Sequence, residues 1–308
     1  MATNNILTQY GDTTKWIDIS PAIEYITPTE DYFFKNLRDG APAESDVIEV
    51  MDDTLDTVAS AAVSVEGDWS YPALAVPTRR TNLVQLVAKP MKVGWMQQWI
   101  RHYHEQDELA RQITKKMKAW VDSCEFDLVR STAVSGVSGT APKMSGLIEA
   151  ISKSTNTTAH NSGTTWAASI LTSLLKCQVY NVGHDYVATD VFMGSFLRDK
   201  TDKFSGSRGA TVFVTGNDTV MRETISSYET AFGNVRFHYH RHINVSTDAT
   251  ARILGIRPET IEKSWMKKAF ITSPSVDAPA DAKVIVGALS SRVRNQGANL
   301  FASGFDKD

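Results

Sequence analysis

The amino-acid sequence predicts an α+β protein on three observations. DELARQITKKMKAWVDSCEFDLVRS, residues 107–131, repeats apolar residues at helical spacing over an unusual length. TNLVQLVAKPMKVGW, just before it, reads as strand, and from Thr211 onward the strand-like runs follow one another closely. A chain of 308 residues can bury a substantial core around such elements.

Taken in order, the first elements are poor in core. WIDISPAIEYITPTEDYFFKNL holds a short amphipathic piece around Ile19, Ile23 and Ile26, broken by Pro21 and Pro28, and then Tyr32, Phe33, Phe34 and Leu37. Its aromatics need a surface supplied by the body of the chain or by a neighbour. DVIEVMDD (46–53) and TNLVQLVAKPMKVGW (81–95) predict two strands. DTVASAAVSVEGDWSYPALAVP between them, with Trp69 as one of its few large anchors, predicts the broad tip of a long hairpin that has little to rest on.

The long helix is expected from about 97 or 102 to 131. Leu109, Ile113, Met117, Trp120, Cys124 and Leu128 follow steps of four, four, three, four and four, so they share one face. Lys115, Lys116, Lys118, Asp122 and Glu125 are expected on the wetted side. Some 27 residues would span roughly 40 Å, a rod that lies across a sheet or along an elongated molecule. STAVSGVSGTAPKMSGL and STNTTAHNSGTT (154–165) read as polar loops, and WAASILTSLLKCQVYN as a second helix with Ile170, Leu174 and Cys177 on its buried face. HDYVATDVFMGSFLRD predicts a short strand at 186–189 and a short helix. TVFVTG, MRETISSYETAFG and NVRFHYHRHINV predict antiparallel strands, joined across Phe232 and Gly233. RILGIRPETIEKSWMKKAFITSPS and AKVIVGALSSRVRNQGANLFASGF supply the last ones.

Composition excludes several function classes. A formal net charge of −3 provides no field that would draw in nucleic acid, a membrane or another polyanion. No run of 18 apolar residues exists, and MATNNILTQYGDTTKW lacks the basic and apolar segments of a signal peptide, so synthesis in a cytoplasm is expected. Cys124 and Cys177 form no metal or redox motif and are expected as buried thiols. The sequons at Asn156, Asn217 and Asn244 would matter only in a secreted protein. The charge is uneven, however. Residues 1–60 carry twelve Asp or Glu against three Lys or Arg, and the remainder twenty-three against twenty-nine. Such an acidic first sixth serves as a solvated arm or lies across a basic neighbour.

Catalytic readings find little support. The chain has no G-x-S-x-G elbow, H-E-x-x-H or Rossmann fingerprint, and its glycine-rich loop lacks phosphate-loop spacing and follows a helix. His238, His240 and His242 alternate, which in a strand would place three imidazoles on one face, as a zinc site needs. No carboxylate lies close in sequence to tune them, so a polar strand face or subunit contact is the simpler expectation. No catalytic, metal or cofactor residue is assigned.

In this order, an arm, a long hairpin, a long helix and a mixed body resemble the tailed-bacteriophage major capsid protein family of the Hong Kong 97-type fold, which encapsulin shells share. The resemblance rests on WIDISPAIEYITPTED (Ile17–Thr29), Val65–Gly67 followed by Arg79 and Arg80, Glu108–Gln112 with Lys115 and Lys116, FGNVRF and VIVGALS. It implies an N-terminal arm over 1–40, an extended loop over 41–96 and a peripheral domain with its spine helix over 97–165. An axial domain over 166–250 and a return to the peripheral domain over 251–308 complete it. It also implies pentamers and hexamers that close an icosahedral shell around double-stranded DNA, held without sequence specificity. Separate scaffolding, portal and decoration proteins are possible partners, and no membrane is involved. Ile19, Ile23, Tyr32, Phe33, Phe34, Trp69, Arg79, Arg80, Lys115 and Lys116 are the expected inter-subunit contacts, with the acidic arm opposite the four cations. No coiled-coil segment precedes the arm, so no fused scaffold is expected, and no Lys or Asn is placed for a covalent cross-link. An encapsulin-like compartment, another virion part such as a tail or baseplate protein, and a soluble enzyme or binding protein stay open as alternatives.

Overall fold

The structure, a computed structural model, describes residues 29–53, 76–100, 107–154, 156–202, 226–245 and 247–307, with the single positions 55, 60, 73, 74 and 204. Helices are α1 (Tyr32–Asn36), α2 (Trp95–Trp99), α3 (Glu108–Arg130), α4 (Leu147–Ser152), α5 (Ala168–Val182) and α6 (Ser195–Asp202). The strands are β1 (Arg38–Asp39), β2 (Val47–Asp52), β3 (Thr78–Leu83), β4 (Gln85–Gly94), β5 (Thr157–Thr164), β6 (Asp190–Met193), β7 (Ser227–Thr230), β8 (Gly233–Tyr239), β9 (Ala251–Ile256), β10 (Ile261–Thr272), β11 (Ala280–Val293) and β12 (Leu300–Phe305).

These strands form a four-stranded sheet in the order β1-β10-β11-β4, a six-stranded sheet in the order β5-β12-β9-β6-β8-β7, and the separate hairpin β2-β3. The chain therefore divides differently from the sequence expectation. β4, assigned to the extended loop, is an edge strand of the four-stranded sheet, an edge position being where Pro90 is tolerated. The 251–308 segment splits, with β10 and β11 in that sheet and β9 and β12 in the other.

The spine helix α3 starts at Asp107, whose carboxylate accepts the Ala110 N–H at 3.1 Å. Its 23 residues span roughly 35 Å, shorter than predicted because 95–99 form the separate helix α2. Trp120, Cys124 and Leu128 are buried against Val87, Met91, Ile285 and Leu289 of β4 and β11, so α3 lies across one face of the four-stranded sheet. The Trp120 indole N–H donates to the Val87 carbonyl at 3.0 Å. Beneath its ring Gly287 is obligatory, since a Cβ there would stand 2.6 Å from Trp120 Cζ2. Burial pushes the Cys124 thiol up, keeping it protonated and inert.

On the six-stranded sheet, α5 packs Leu171, Leu174 and Leu175 against Val191, Met193, Ile253 and Leu300. The expected helix face is rotated: Gln178, not Cys177, is buried, and Cys177 is exposed. Residues 157–164, read as loop, are the edge strand β5, parallel to β12. Near its end Gly304 adopts φ +95°, where a Cβ would strike the His160 carbonyl oxygen at 2.0 Å. TVFVTG lies outside the described residues, whereas the antiparallel pair across Phe232 and Gly233 is present as β7 and β8.

Candidate functional surfaces

Three features of this architecture bear on how one chain meets another: the root of the arm, the hairpin, and the uncovered side of the four-stranded sheet. The arm root is built on a buried carboxylate. Glu125, expected on the wetted side of α3, is 0% exposed. Its Oε1 accepts the Phe33 N–H at 2.8 Å and its Oε2 the Phe34 N–H at 2.6 Å, so it caps donors that α1 cannot pair internally. His240 Nε2 reaches Oε1 at 2.7 Å. The His242 backbone N–H points at His240 Nδ1 at 3.3 Å; since that amide only donates, Nδ1 accepts and Nε2 carries the proton given to Glu125. Three donors thus satisfy one buried anion.

The other two histidines have carboxylates as well, brought from distant sequence. His242 Nε2 lies 3.3 Å from Asp122, which also accepts the Glu30 N–H at 3.1 Å. His238 Nε2 lies 2.8 Å from Asp190. Burial would raise the Asp190 carboxyl, but hydrogen bonds from Thr189, His238 and Arg236 outweigh it and hold the group below its ordinary range. β8 ends at Tyr239, so the three imidazoles do not share a strand face. Each serves a different carboxylate, and no cluster of three metal-ligating side chains occurs among the described residues.

The arm aromatics dock on this row. Phe33 is 0% exposed, against Phe192 at 4.7 Å and His240 at 4.9 Å between ring centroids. Tyr32 lies against Phe192 and His238, and Phe34 meets Trp120 and Trp265 edge-on. The expected inter-subunit role of Phe33 is therefore corrected, because a fully enclosed ring cannot touch a neighbour. The helix-to-loop joint is closed by Arg130, which binds Asp248 at 2.8 Å through both terminal nitrogens and also donates to the His242 carbonyl.

Those Arg130 hydrogen bonds hold the Asp248 carboxyl down to about 2, against its ordinary 3.8. A depressed carboxylate contributes stability that is complete above the ordinary value and lost as pH falls from 3.8 toward 2. Amide exchange at 243–248 is expected to accelerate through that window, and in Asp248→Asn to be fast already at neutral pH; an acid response identical in both would contradict this assignment.

The hairpin pairs Val47–Asp52 with Thr78–Leu83 in one continuous register. Its root is fixed by Asn82, whose Nδ2 donates to the Ser291 carbonyl at 2.7 Å and whose Oδ1 accepts the Ser145 N–H at 2.7 Å. Ile48 there is buried with Val84 on Ala43 and Ala288. Beyond the root the hairpin leaves the body, and Met51 and Val76 are 65% and 82% exposed. Arg80 is committed within its own chain, to Asp52 and to the Val293 and Arg294 carbonyls. Among the described residues Arg79 makes only an open pair with Glu49 at 3.3 Å. Arg79→Glu should thus change subunit stability by less than about 0.5 kcal/mol, while Arg80→Glu should cost about 1–2 kcal/mol through Asp52 and the carbonyls. Thermal unfolding of the two variants separates them, and equal losses would sink the distinction.

Ala288 is the covered end of a larger surface. In the sheet register Ala88, Val286 and Phe270 stand side by side, with Leu86 next to Ala288 and Lys267. Leu86 is 64% and Phe270 42% exposed. At the far end, where β4 passes into α2, Trp95, Met96, Trp99 and Ile100 are exposed. Lys115 and Lys116 lie on the open side of α3 without ion pairs among the described residues. Ile19, Ile23 and Trp69 fall outside the described residues. Asn82 and Asp248, which carry two of the joints, are not among the residues the sequence singles out, and Glu125, which carries the third, is expected there on the wetted side. The one available signal was a polar side chain at the margin of an apolar stripe or strand.

The sequence model of the SU10 major capsid protein family matches residues 3–305. Among solved structures, the capsid of a native GTA particle computed with C5 symmetry superposes with a TM-score of 0.67 at 12% identity, covering 99% of this chain and 100% of that one. The capsid of Myoviridae Phage XM1 gives 0.65 at 10% identity, over 98% and 100%. The holo-SrpI encapsulin complex from Synechococcus elongatus PCC 7942 gives 0.61 at 11% identity, over 95% and 93%. At such identities the likeness is one of fold, the Hong Kong 97-type arrangement. No curated protein sequence matches the chain.

Proposed function

The chain belongs to the SU10 major capsid protein family, and we propose that its copies, arranged as pentamers and hexamers, close an icosahedral shell around double-stranded DNA. It is a major capsid protein, a structural subunit of a phage shell. The observation that carries the assembly reading is the pairing of two open apolar surfaces within one chain. The hairpin presents Met51 and Val76, and the sheet presents Leu86 and Phe270 beside the half-buried Val286, next to the place where Ile48 already packs in cis. A neighbour's hairpin extends that packing along the sheet. Each contact is small, and only repetition across a lattice offsets the ordering entropy of an isolated hairpin.

In this reading Arg79, Lys115 and Lys116 are contacts at the subunit edges, where exposed charge fixes geometry more than affinity. Ile19, Ile23 and Trp69 belong to the segments that cross to neighbours. DNA is held without sequence recognition, as the absence of a base-reading motif implies, and the net charge of −3 leaves phosphate contacts weak per subunit. Synthesis takes place in the host cytoplasm, with separate scaffolding and portal proteins as candidate helpers in assembly and decoration proteins as candidate outer partners. No helix among the described residues is long and apolar enough to cross a membrane. Nuclease treatment of particles from phage-producing cells tests the cargo. Protected double-stranded DNA is expected, whereas shells filled with a protein cargo alone would favour the encapsulin-like alternative.

A further inference from the structure

β4 stands at the end of its sheet, paired among the described residues on one side only, to β11. A groove of about 440 Å³ is lined by its residues 85–89. Successive side chains of a strand point to opposite faces, so a groove that touches five in a row runs along the strand's edge, over roughly 13 Å. The other wall is α3, through Asp122, Ser123, Phe126 and Asp127. Asp122 is already matched by His242 and by the Glu30 N–H. Asp127 is not. Among the described residues its carboxylate accepts one side-chain hydrogen bond, from Gln85 Nε2 at 2.7 Å, and forms no ion pair. Burial pushes this carboxyl up, and the Gln85 hydrogen bond and the more distant charges of Lys143 and Lys89 offset that only in part. The groove is therefore short of a cation beside Asp127. Next to it are two apolar side chains, Leu86 at 64% and Phe126 at 43% exposed.

The hairpin carries the complementary pair. Met51 and Arg79 are opposed in the β2–β3 register, so their side chains share one face about 5 Å apart. Met51 is open to solvent, and the Arg79 pair with Glu49 is too exposed to hold the guanidinium in place. The hairpin of the same chain does not line the groove. We propose that the groove along β4 receives the hairpin of a second copy, with the partner subunit's Arg79 on Asp127 and the partner subunit's Met51 on Leu86. The proposal rests on the shell reading and gives the hairpin a seat at the edge of the sheet, continuous with the sheet face through Leu86. Phe126 offers its ring to the planar guanidinium, a contact that a lysine makes less well. The other strand of the hairpin is the poorer match, since its Glu49 would add a third carboxylate to the groove.

Particle yield of the full chain at fixed protein concentration, read by sedimentation, tests this with R79Q, D127N and the double variant. Each single variant is expected to lose about ten-fold. The double variant should lose no more than either single one, because removing one partner already removes the contact. D127N keeps the side-chain volume and an oxygen for Gln85, and thermal unfolding of the 34.0 kDa subunit is expected to be unchanged in all three. The same cycle on M51S and L86S, both at exposed positions, keeps the test independent of any effect of Asp127 on folding. A loss of about a hundred-fold in either double variant, the product of two independent losses, overturns the proposal. So does a loss in D127N that R79Q does not share, which would mean that a different cation fills the groove. Full yield in every variant overturns it as well and leaves the shell reading standing. A wild type that forms no oligomer at any concentration contradicts the shell reading and the proposal together.

Discussion

Glu125→Ala is expected to lower the unfolding free energy of the subunit by about 3–5 kcal/mol, the cost of breaking a buried charged network by removing one partner. The substitution strands the Phe33 and Phe34 amides and the Nε2 proton of His240 in a region closed to water. It also removes the more deeply buried of the two carboxylates, Glu125 and Asp122, through which the spine helix meets both the arm root and the His240–His242 stretch. Glu125→Gln keeps the volume and one acceptor oxygen, so a smaller loss, about 1–3 kcal/mol, is expected from it. Chemical denaturation measures both. A loss below about 1 kcal/mol for the alanine variant would mean that the arm root is held mainly by Phe33 packing on Phe192, and that the carboxylate is incidental.

Replacing residues 53–77 by Asn-Gly should abolish shell formation while leaving the subunit folded. Asp52 and Thr78 are opposed in the hairpin register, and a two-residue turn of that type closes antiparallel strands without splaying them. The root contacts of Asn82 and Ile48 stay in place, so the melting temperature should move by only a few degrees. What is lost is the reach to a neighbour. A particle yield within two-fold of wild type would show that the hairpin tip is dispensable and that the sheet face is covered by something else.

Part of this was legible in the sequence for local reasons. The stripe through Trp120, Cys124 and Leu128 is a near-neighbour signal that predicts the spine helix, with an error at its start, where the cap Asp107 is not singled out. β2, β7, β8 and β11 carry apolar alternation or turn residues within their own spans. The sequence places Glu125 in water because it is charged and lies off the apolar stripe, whereas its partners Phe33 and His240 lie 92 and 115 positions away. The same distance hid the carboxylates of the three histidines. The sequence predicts a loop at β5 because TTAHNSGT has no apolar face; its strand character comes from pairing with β12. On α5, Cys177 and Gln178 are adjacent, and a rotation of one position exchanges a thiol for an amide at the buried face. Gln178 is satisfied there by the Ala188 N–H at 3.0 Å, a contact made only by the folded chain.

The measurement that bears most directly on the central claim is the mass distribution of the purified full chain across protein concentration and salt, with electron microscopy of its largest fraction. Closed thin shells of icosahedral form are the predicted result. A 34.0 kDa monomer that persists in every condition, with and without the scaffolding protein of its own phage, would contradict it.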